Sequence, residues 1–397
     1  MRTLLNDFWF IFRNNIRDYG MYIALAGIFI FFTLMTGGLF VSSRNIFNLI
    51  QQTGFIAVGS VGMTLIIVIR HIDLSVGSIA GVVGAMAAVL IVSYGVPAAI
   101  ALPSVLIFGA LAGLLTGYLV AKVGIPAFVA SLGGMFVYRG LIFNFLQSTG
   151  TLGINDPIIE AIGRGTIPSI ATVFGMQLSS LIVGILAIAW LIYAELGNRK
   201  KKIDYNFEVL PKNLMIIKLV FMSLIIAVIT YVLGSYRGIS WVLVIVGLVL
   251  FAYHFMTTKT ILGRHIFAVG GNPEASELSG ISVEKITYFV FSSMGFLSAL
   301  SGIMYLARLQ SATFTAGEGL ELQVIAGAFV GGTSAAGGIG KVTGSVIGAL
   351  VMASLINGMQ MLSLGSNVQN IISGVVLVLA VIFDVKTRTM KKTEKKS

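Results

Sequence analysis

The chain has 397 residues, 57% of them hydrophobic and only 10% charged, and its 26 basic against 15 acidic side chains leave a formal net charge of +11. An ordinary soluble domain carries about 25% charged residues, so this composition excludes a soluble globular protein. The cations sit in short loops and tails between long apolar runs, which is the pattern of cytoplasmic loops and excludes a nucleic-acid surface; the absence of cysteine excludes disulfides and thiolate metal sites.

In chain order, "LLNDFWFIFRNNIRDYG" mixes aromatics with Asp7, Arg13, Arg17 and Asp18, and residues 1–20 are expected to form a cytoplasmic or interfacial segment. The first apolar run, 21–40, is too long for a signal-peptide core and no A-x-A-like site follows it, so it is expected to stay as a span. Further spans are expected over 46–69, 75–94, 98–121, 127–147, 170–193, 214–234, 240–257, 285–309, 320–337, 342–361 and 368–384, each near the roughly 20 residues a bilayer core requires. Only helices satisfy the backbone of such runs in hydrocarbon. The fold class is therefore all-α and polytopic, with about ten to twelve transmembrane helices, some broken or short, and both termini in the cytoplasm. The tenth span is the weakest, because only Val324 to Val330 is solidly apolar.

Three stretches stand out from the spans. "RHIDLSVGS", 70–78, divides one apolar run in two; Asp73 or Ser75 can cap the second helix by accepting bonds from its first free amides. A break beside Arg70, His71 and Asp73 also suits a cavity lining, since irregular backbone at membrane depth is tolerated where protein or water satisfies it. "LGRHIFAVGGNPEASELSGISVEKI", 262–286, predicts a short helix after Gly271: Asn272 as N-cap, Pro273 at the first position, Glu274 at the positive end and Gly280 as the stop. It turns Ala275, Leu278 and Ile281 one way and Glu274 and Glu277 another, as a solvated loop helix or as a docking helix for a cytoplasmic partner.

"VGGTSAAGGIGKVTGS", 330–345, raises the question of a phosphate loop. The G-x-x-x-x-G-K-[ST] pattern fails at both ends: Ala335 replaces the turn glycine and Val342 the magnesium-binding hydroxyl. "GSIAG" at 77–81 echoes "GSVIG" at 344–348, either as an internal repeat or, with Gly109, Gly113 and Gly117, as small residues for close helix packing. His71, His254 and His265 are scattered without ligand or catalytic spacing. The charged stretch 195–212 is an internal linker within one transmembrane domain, 1–397.

"VGMTLIIVIRHIDLSVGS", "GGNPEASELSGI" and "VIAGAFVGGTSAAGGIGKVTGS", in this order and spacing, resemble the membrane permeases of bacterial ABC sugar importers of the ribose, xylose and galactose type, from about Asn45 to the tail. The charged loop and extra pair of spans between about 170 and 234 are most similar to the xylose-type permeases. Glu277 departs from the arginine usual there in the family. The resemblance implies a permease that forms the pathway for a pentose or hexose across the bacterial cytoplasmic membrane and is not itself an enzyme. It binds no cofactor or metal; ATP is used by a tandem-domain cytoplasmic ATPase. The other implied partners are an extracytoplasmic sugar-binding protein, a second copy of the chain, and membrane lipid, with no nucleic acid. Within the cytoplasmic loop 258–285, Gly271, Asn272, Glu274, Ala275, Leu278, Ser279 and Gly280 become the ATPase-coupling helix; 385–397 is a basic cytoplasmic tail. Asp73, Ser75, Gly77, Ser78, Arg139 and Asn357 are the candidates for the break and pathway. An ion-coupled secondary transporter of a small polar solute is the alternative, but ionisable groups inside the spans are few: Arg139 is the deepest, with Asp73, Arg308, Glu318 and Glu321 near span ends.

Overall fold

The computed structural model describes residues 16–207, 209 and 211–394, and the side chains of 20–207, 209 and 211–386. The expected interfacial segment before residue 16 and the last tail residues, 395–397, lie outside them. The described chain is almost entirely helical: α1 (Ile16–Met35), α2 (Ser43–Val68), α3 (Val76–Ala88, continued by a π turn Val89–Ser93), α4 (Ala98–Ala121), α5 (Ala127–Leu146), α6 (Pro157–Arg164), α7 (Leu178–Asp204), α8 (Lys212–Gly234) and α9 (Trp241–Lys259). These are followed by α10 (Ile261–Gly271), α11 (Pro273–Leu278), α12 (Val283–Leu309), α13 (Leu320–Val330), α14 (Val342–Met361) and α15 (Ser366–Glu394). Among the described residues, ten helices are long and apolar enough to cross a bilayer. The chain is a multi-pass membrane protein.

Two expected spans change. The apolar run from Ile170 does not begin a helix, because Phe174 and Gly175 take left-handed φ of 53° and 72° and turn the short strand Thr172–Val173 back onto Met176–Gln177. Two successive left-handed residues are the signature of a tight hairpin. Helix α7 therefore starts at Leu178 and carries the basic residues up to Lys202 inside its last turns. The run expected over 320–337 is helical only over α13, 11 residues. At 1.5 Å per residue that is about 16 Å, half of a bilayer core; Gly331 and Gly332 end it, with Gly332 at φ 89°. The segment 261–271, expected as loop, is helix α10, capped by Thr260, whose hydroxyl accepts from Gly263 N–H at 3.2 Å.

The chain forms two compact units. The larger is built from α1, Leu49–Arg164 and the chain from Val242 onward; the smaller from Val41–Asn48 and Gly165–Trp241. In the larger unit α4 lies against α12 along a glycine seam. A Cβ on Gly113 would overlap Phe291 O and sit 2.9 Å from Gly295 N; one on Gly109 would lie 2.7 Å from Gly295 O. Gly117 continues the stripe 3.0 Å from Phe291 Cβ. Lipid tails remove the usual hydrophobic drive, so small residues that let backbones approach are what associates these helices. Ile79, Val83, Val105, Ile142, Leu146 and Ile303 form the apolar core beside that seam, where α3, α4, α5 and α12 meet. In the smaller unit α7 and α8 form a hairpin closed by Gly184 against Thr230 and by a Glu195–Lys218 ion pair of 2.7 Å.

Candidate functional site

The break after α2 is built by one unusual residue. Arg70 has φ 66°. Its N–H donates to Ile67 O at 2.9 Å and that of His71 to Ile66 O at 3.0 Å, the paired bonds of a Schellman helix end with Arg70 in the left-handed position. Glycine is the usual occupant, and a side-chain-bearing residue there costs about 1–3 kcal/mol unless its surroundings hold it. Here they do: the guanidinium donates through Nε to Gly270 O at 2.7 Å and through Nη2 to Gly271 O. Those carbonyls end α10, where a cation also complements the negative helix terminus.

Beyond the break, Asp73 is fully buried. Its Oδ1 accepts from Ser75 N–H at 2.8 Å and from Ser75 Oγ at 2.6 Å. The expected cap is thus corrected in form: Ser75 occupies the N-cap position of α3 but its hydroxyl is turned back to Asp73, and no side chain receives the first amides of α3. Ser78 Oγ donates to Ser75 O at 2.8 Å, tightening the same turn. Burial pushes the Asp73 carboxyl up, against the two Ser75 bonds that favour its charged form. Its Oδ2 has no hydrogen-bond partner among the described residues, and neither has Oε2 of Glu321.

Arg139 is tied to α3 through the loop 313–319. Residues 313–319 pack on the first two turns of α3, where a Cβ on Gly77 would overlap Glu321 Oε2 and Gly317 O, and one on Gly81 would overlap Ala316 O. Arg139 reaches from α5 to donate to Ala316 O at 2.8 Å. Asp73, Ser75 and Ser78 therefore share the turn that opens α3, with Glu321 against Gly77, while Arg139 reaches the same helix further along, where Ala316 lies on Gly81. Asn357 is buried instead on α14, the helix packed against α13 and α1.

The short helix α11 forms as expected. Asn272 Oδ1 accepts from Ala275 N–H at 3.1 Å with Pro273 in the first turn, Gly280 takes φ 82°, and Ile281 N–H closes the end on Ser276 O at 3.0 Å. Ser279 Oγ donates to Ala275 O at 2.8 Å. Ser276 is its buried face; Gly271, Glu274, Ala275 and Glu277 are exposed and Leu278 is 91% exposed. An apolar side chain presented so fully at a helix end is available to a partner.

The glycine-rich stretch spends its amides on the protein itself. Gly338 N–H donates to Val68 O at 2.9 Å and Ser334 N–H to Ile339 O at 2.9 Å. Asp384, on α15, accepts from Ser334 Oγ at 3.1 Å and from Ala335 N–H at 3.2 Å. A phosphate would have to displace a carboxylate. In the sequence Asp384 carries one signal only, an acid alone in the last apolar run, "VIFDVK".

The family described as "Branched-chain amino acid transport system / permease component" matches residues 45–381. The chain belongs to this permease family. It is 35% identical over 374 residues to the xylose transport system permease protein XylH of Haemophilus influenzae, covering 94% of this chain and 97% of that one. Identity to XylH of Escherichia coli K12 is 34% over 374 residues, 94% and 93% of the two chains. The ribose import permease protein RbsC of E. coli K12 is 36% identical over 347 residues, 87% of each chain. No solved structure matches. In this permease the matched region contains all three stretches described above: the break, α11 and the glycine loop.

Proposed function

We propose that this chain is the permease subunit of an ATP-binding-cassette importer and forms the pathway for a monosaccharide, a pentose or hexose such as xylose, ribose or galactose, across the bacterial cytoplasmic membrane. The observation that carries the reading is near-full-length similarity to xylose and ribose permeases, against which the amino-acid wording of the family description weighs little. Energy comes from a separate tandem-domain cytoplasmic ATPase, sugar from an extracytoplasmic binding protein, and the pathway from two copies of the chain side by side in lipid. In this arrangement both termini, the loop 258–285 and the basic tail 385–397 face the cytoplasm, in line with the cation distribution. Helix α11 is the coupling helix, with Leu278 its anchor; the break group around Asp73, with Asn357 deeper on α14, lines or supports the pathway. The chain itself binds no ATP, because Ala335 and Val342 remove the loop's phosphate and metal chemistry and Asp384 occupies the Ala335 amide.

The test is uptake of labelled xylose, ribose and galactose into proteoliposomes containing the chain with its ATPase and binding-protein partners. Uptake of one sugar that requires internal ATP and the binding protein is expected. The unpartnered carboxylate oxygens of Asp73 and Glu321 are the feature that favours ion coupling; uptake by the chain alone, abolished by a protonophore or by removing sodium, would establish that alternative and overturn the proposal.

A further inference from the structure

We propose that Arg70 is the positioning residue that couples the docking helix α11 to the break at Asp73; this rests on the function proposed above. Two backbone ends are joined by this one side chain. Its main chain terminates α2, and its guanidinium holds the last two carbonyls of α10, Gly270 and Gly271, directly before the Asn272 cap of α11. Three residues further on lies the buried Asp73, whose bonds to Ser75 set the entry to α3. A displacement of α11 is thereby passed through two carbonyls and a planar fork to the start of the break. Lysine, a point charge on a flexible stem, does not hold two carbonyls in one plane.

The glycine loop fits against the same contact. A Cβ on Gly337, at φ 80°, would overlap Arg70 Cγ, and one on Gly270 would overlap Val68 O and lie 2.8 Å from Gly338 N. Gly338 N–H meanwhile binds Val68 O at 2.9 Å, and Asp384 of α15 holds the loop's other arm through Ala335 N–H at 3.2 Å. The end of α2, the end of α10 and the loop between α13 and α14 therefore meet with no room for extra atoms, and such close-packed junctions transmit a displacement where a loose one would absorb it. The backbone of Arg70 adds the second argument. Glycine would satisfy the left-handed geometry without penalty, so the arginine is explained by what its side chain does and not by the turn.

The experiment uses the complete complex, permease with its ATPase and binding protein, and the variants R70G, R70K, R70M, R70N and G337A. Glycine suits φ 66°, so R70G preserves the turn while deleting the fork. Expected for R70G are an ATPase that still co-purifies and hydrolyses ATP, at least a tenfold fall in sugar taken up per ATP, and faster amide exchange over residues 272–281. R70K should recover part of the uptake per ATP and R70M, of similar bulk but without a donor, should not; equal recovery by both would mean that Arg70 only fills space. G337A, which at φ 80° crowds Arg70 Cγ and the Gly270 and Val68 carbonyls together, should uncouple in the same direction, and R70N, a residue that tolerates the left-handed region but lacks the fork, carries the test if R70G does not express. Wild-type uptake per ATP in R70G overturns the inference, as does loss of the ATPase from the purified complex, which would make Arg70 only a scaffold for α11. Amide exchange separates the two readings: if the wild-type complex shows no ATP-driven uptake, the proposed function fails, whereas unchanged exchange over 272–281 in R70G removes the Arg70 link whatever the transport result.

Discussion

Helices α2 and α8 make the same kind of apolar segment and have opposite surroundings. Along the apolar stretch of α2, 94% of the residues are buried within the protein; along that of α8, the more apolar of the two, 6% are. In water that ordering would be reversed. In a bilayer, apolarity marks what faces lipid, and the helix at the centre is recognised by small and polar residues instead. Helix α2 carries Gly54, Gly59, Ser60, Gly62 and Thr64; Ser60 Oγ donates to Val324 O at 3.1 Å and Gly59 and Gly62 admit Val324 and Met294. Helix α8 presents Ile216, Val220, Phe221, Leu224 and Ile225 outward.

The comparison is broken most forcefully at the glycine seam. Gly113→Val puts atoms into the Phe291 and Gly295 backbone, which cannot repack as a side chain can, and should destabilise by about 3 kcal/mol, seen as a large fall in melting temperature in detergent. A normal melting temperature would show that α4 and α12 are not held by that seam. Leu278→Asp separates docking from folding. Burying a leucine is worth about 1.5–3 kcal/mol, so ATPase co-purification should fall at least tenfold while the permease keeps its melting temperature, because the side chain is exposed in the free chain. Retention of the ATPase would remove α11 as the docking element.

Asp73 sharpens the polar side of the contrast. Asp73→Ala orphans the buried Ser75 N–H and hydroxyl, at about 1–3 kcal/mol, whereas Asp73→Asn keeps an oxygen acceptor and should cost less. The sign of the pH dependence follows from the raised carboxyl: a group that takes up its proton more readily in the folded state stabilises the fold as pH falls through its raised value and withdraws that stabilisation as pH rises. Melting curves taken as pH is lowered toward the ordinary carboxylate range should therefore show a larger gain in the wild type than in Asp73→Asn, which keeps only the contribution of Glu321, also pushed up by burial. The smallest effect is expected on the lipid face, where Ile225→Ala should shift stability by under about 0.5 kcal/mol; a larger loss would mean that α8 has a protein neighbour, such as a second copy.

Spans bounded by strong punctuation were legible residue by residue. Helix α4 fills the expected 98–121, since Pro97 sets its entry and Lys122 follows its apolar end. Helix α11 was legible for the same reason, through Asn272, Pro273 and Gly280. Where a run stayed apolar through a change of structure, hydropathy carried no boundary: Ile170 to Gln177 is as apolar as a span, yet Phe174 and Gly175 turn it into a hairpin. At the candidate site, Asp73 and its neighbours were visible because a charge inside an apolar run is expensive. The 313–319 loop and Asp384 were not singled out, since nothing local marks a loop that will pack on Gly77 or a carboxylate that will hold a glycine loop 49 residues away in sequence.

The sequence alone determined that this chain is helical, lies in a membrane and carries a short capped helix between two of its spans, because each of those rests on local physics: apolar length against bilayer thickness, backbone bonds closed within a helix, and caps set by two or three residues. Only the tertiary structure decided which glycines are seams, which spans are central and that Arg70, Gly270 and Gly337 share one junction. Those choices depend on backbone-to-backbone fit between segments some 70 to 270 residues apart, a geometry that apolar patterning does not encode when lipid accepts every apolar face equally.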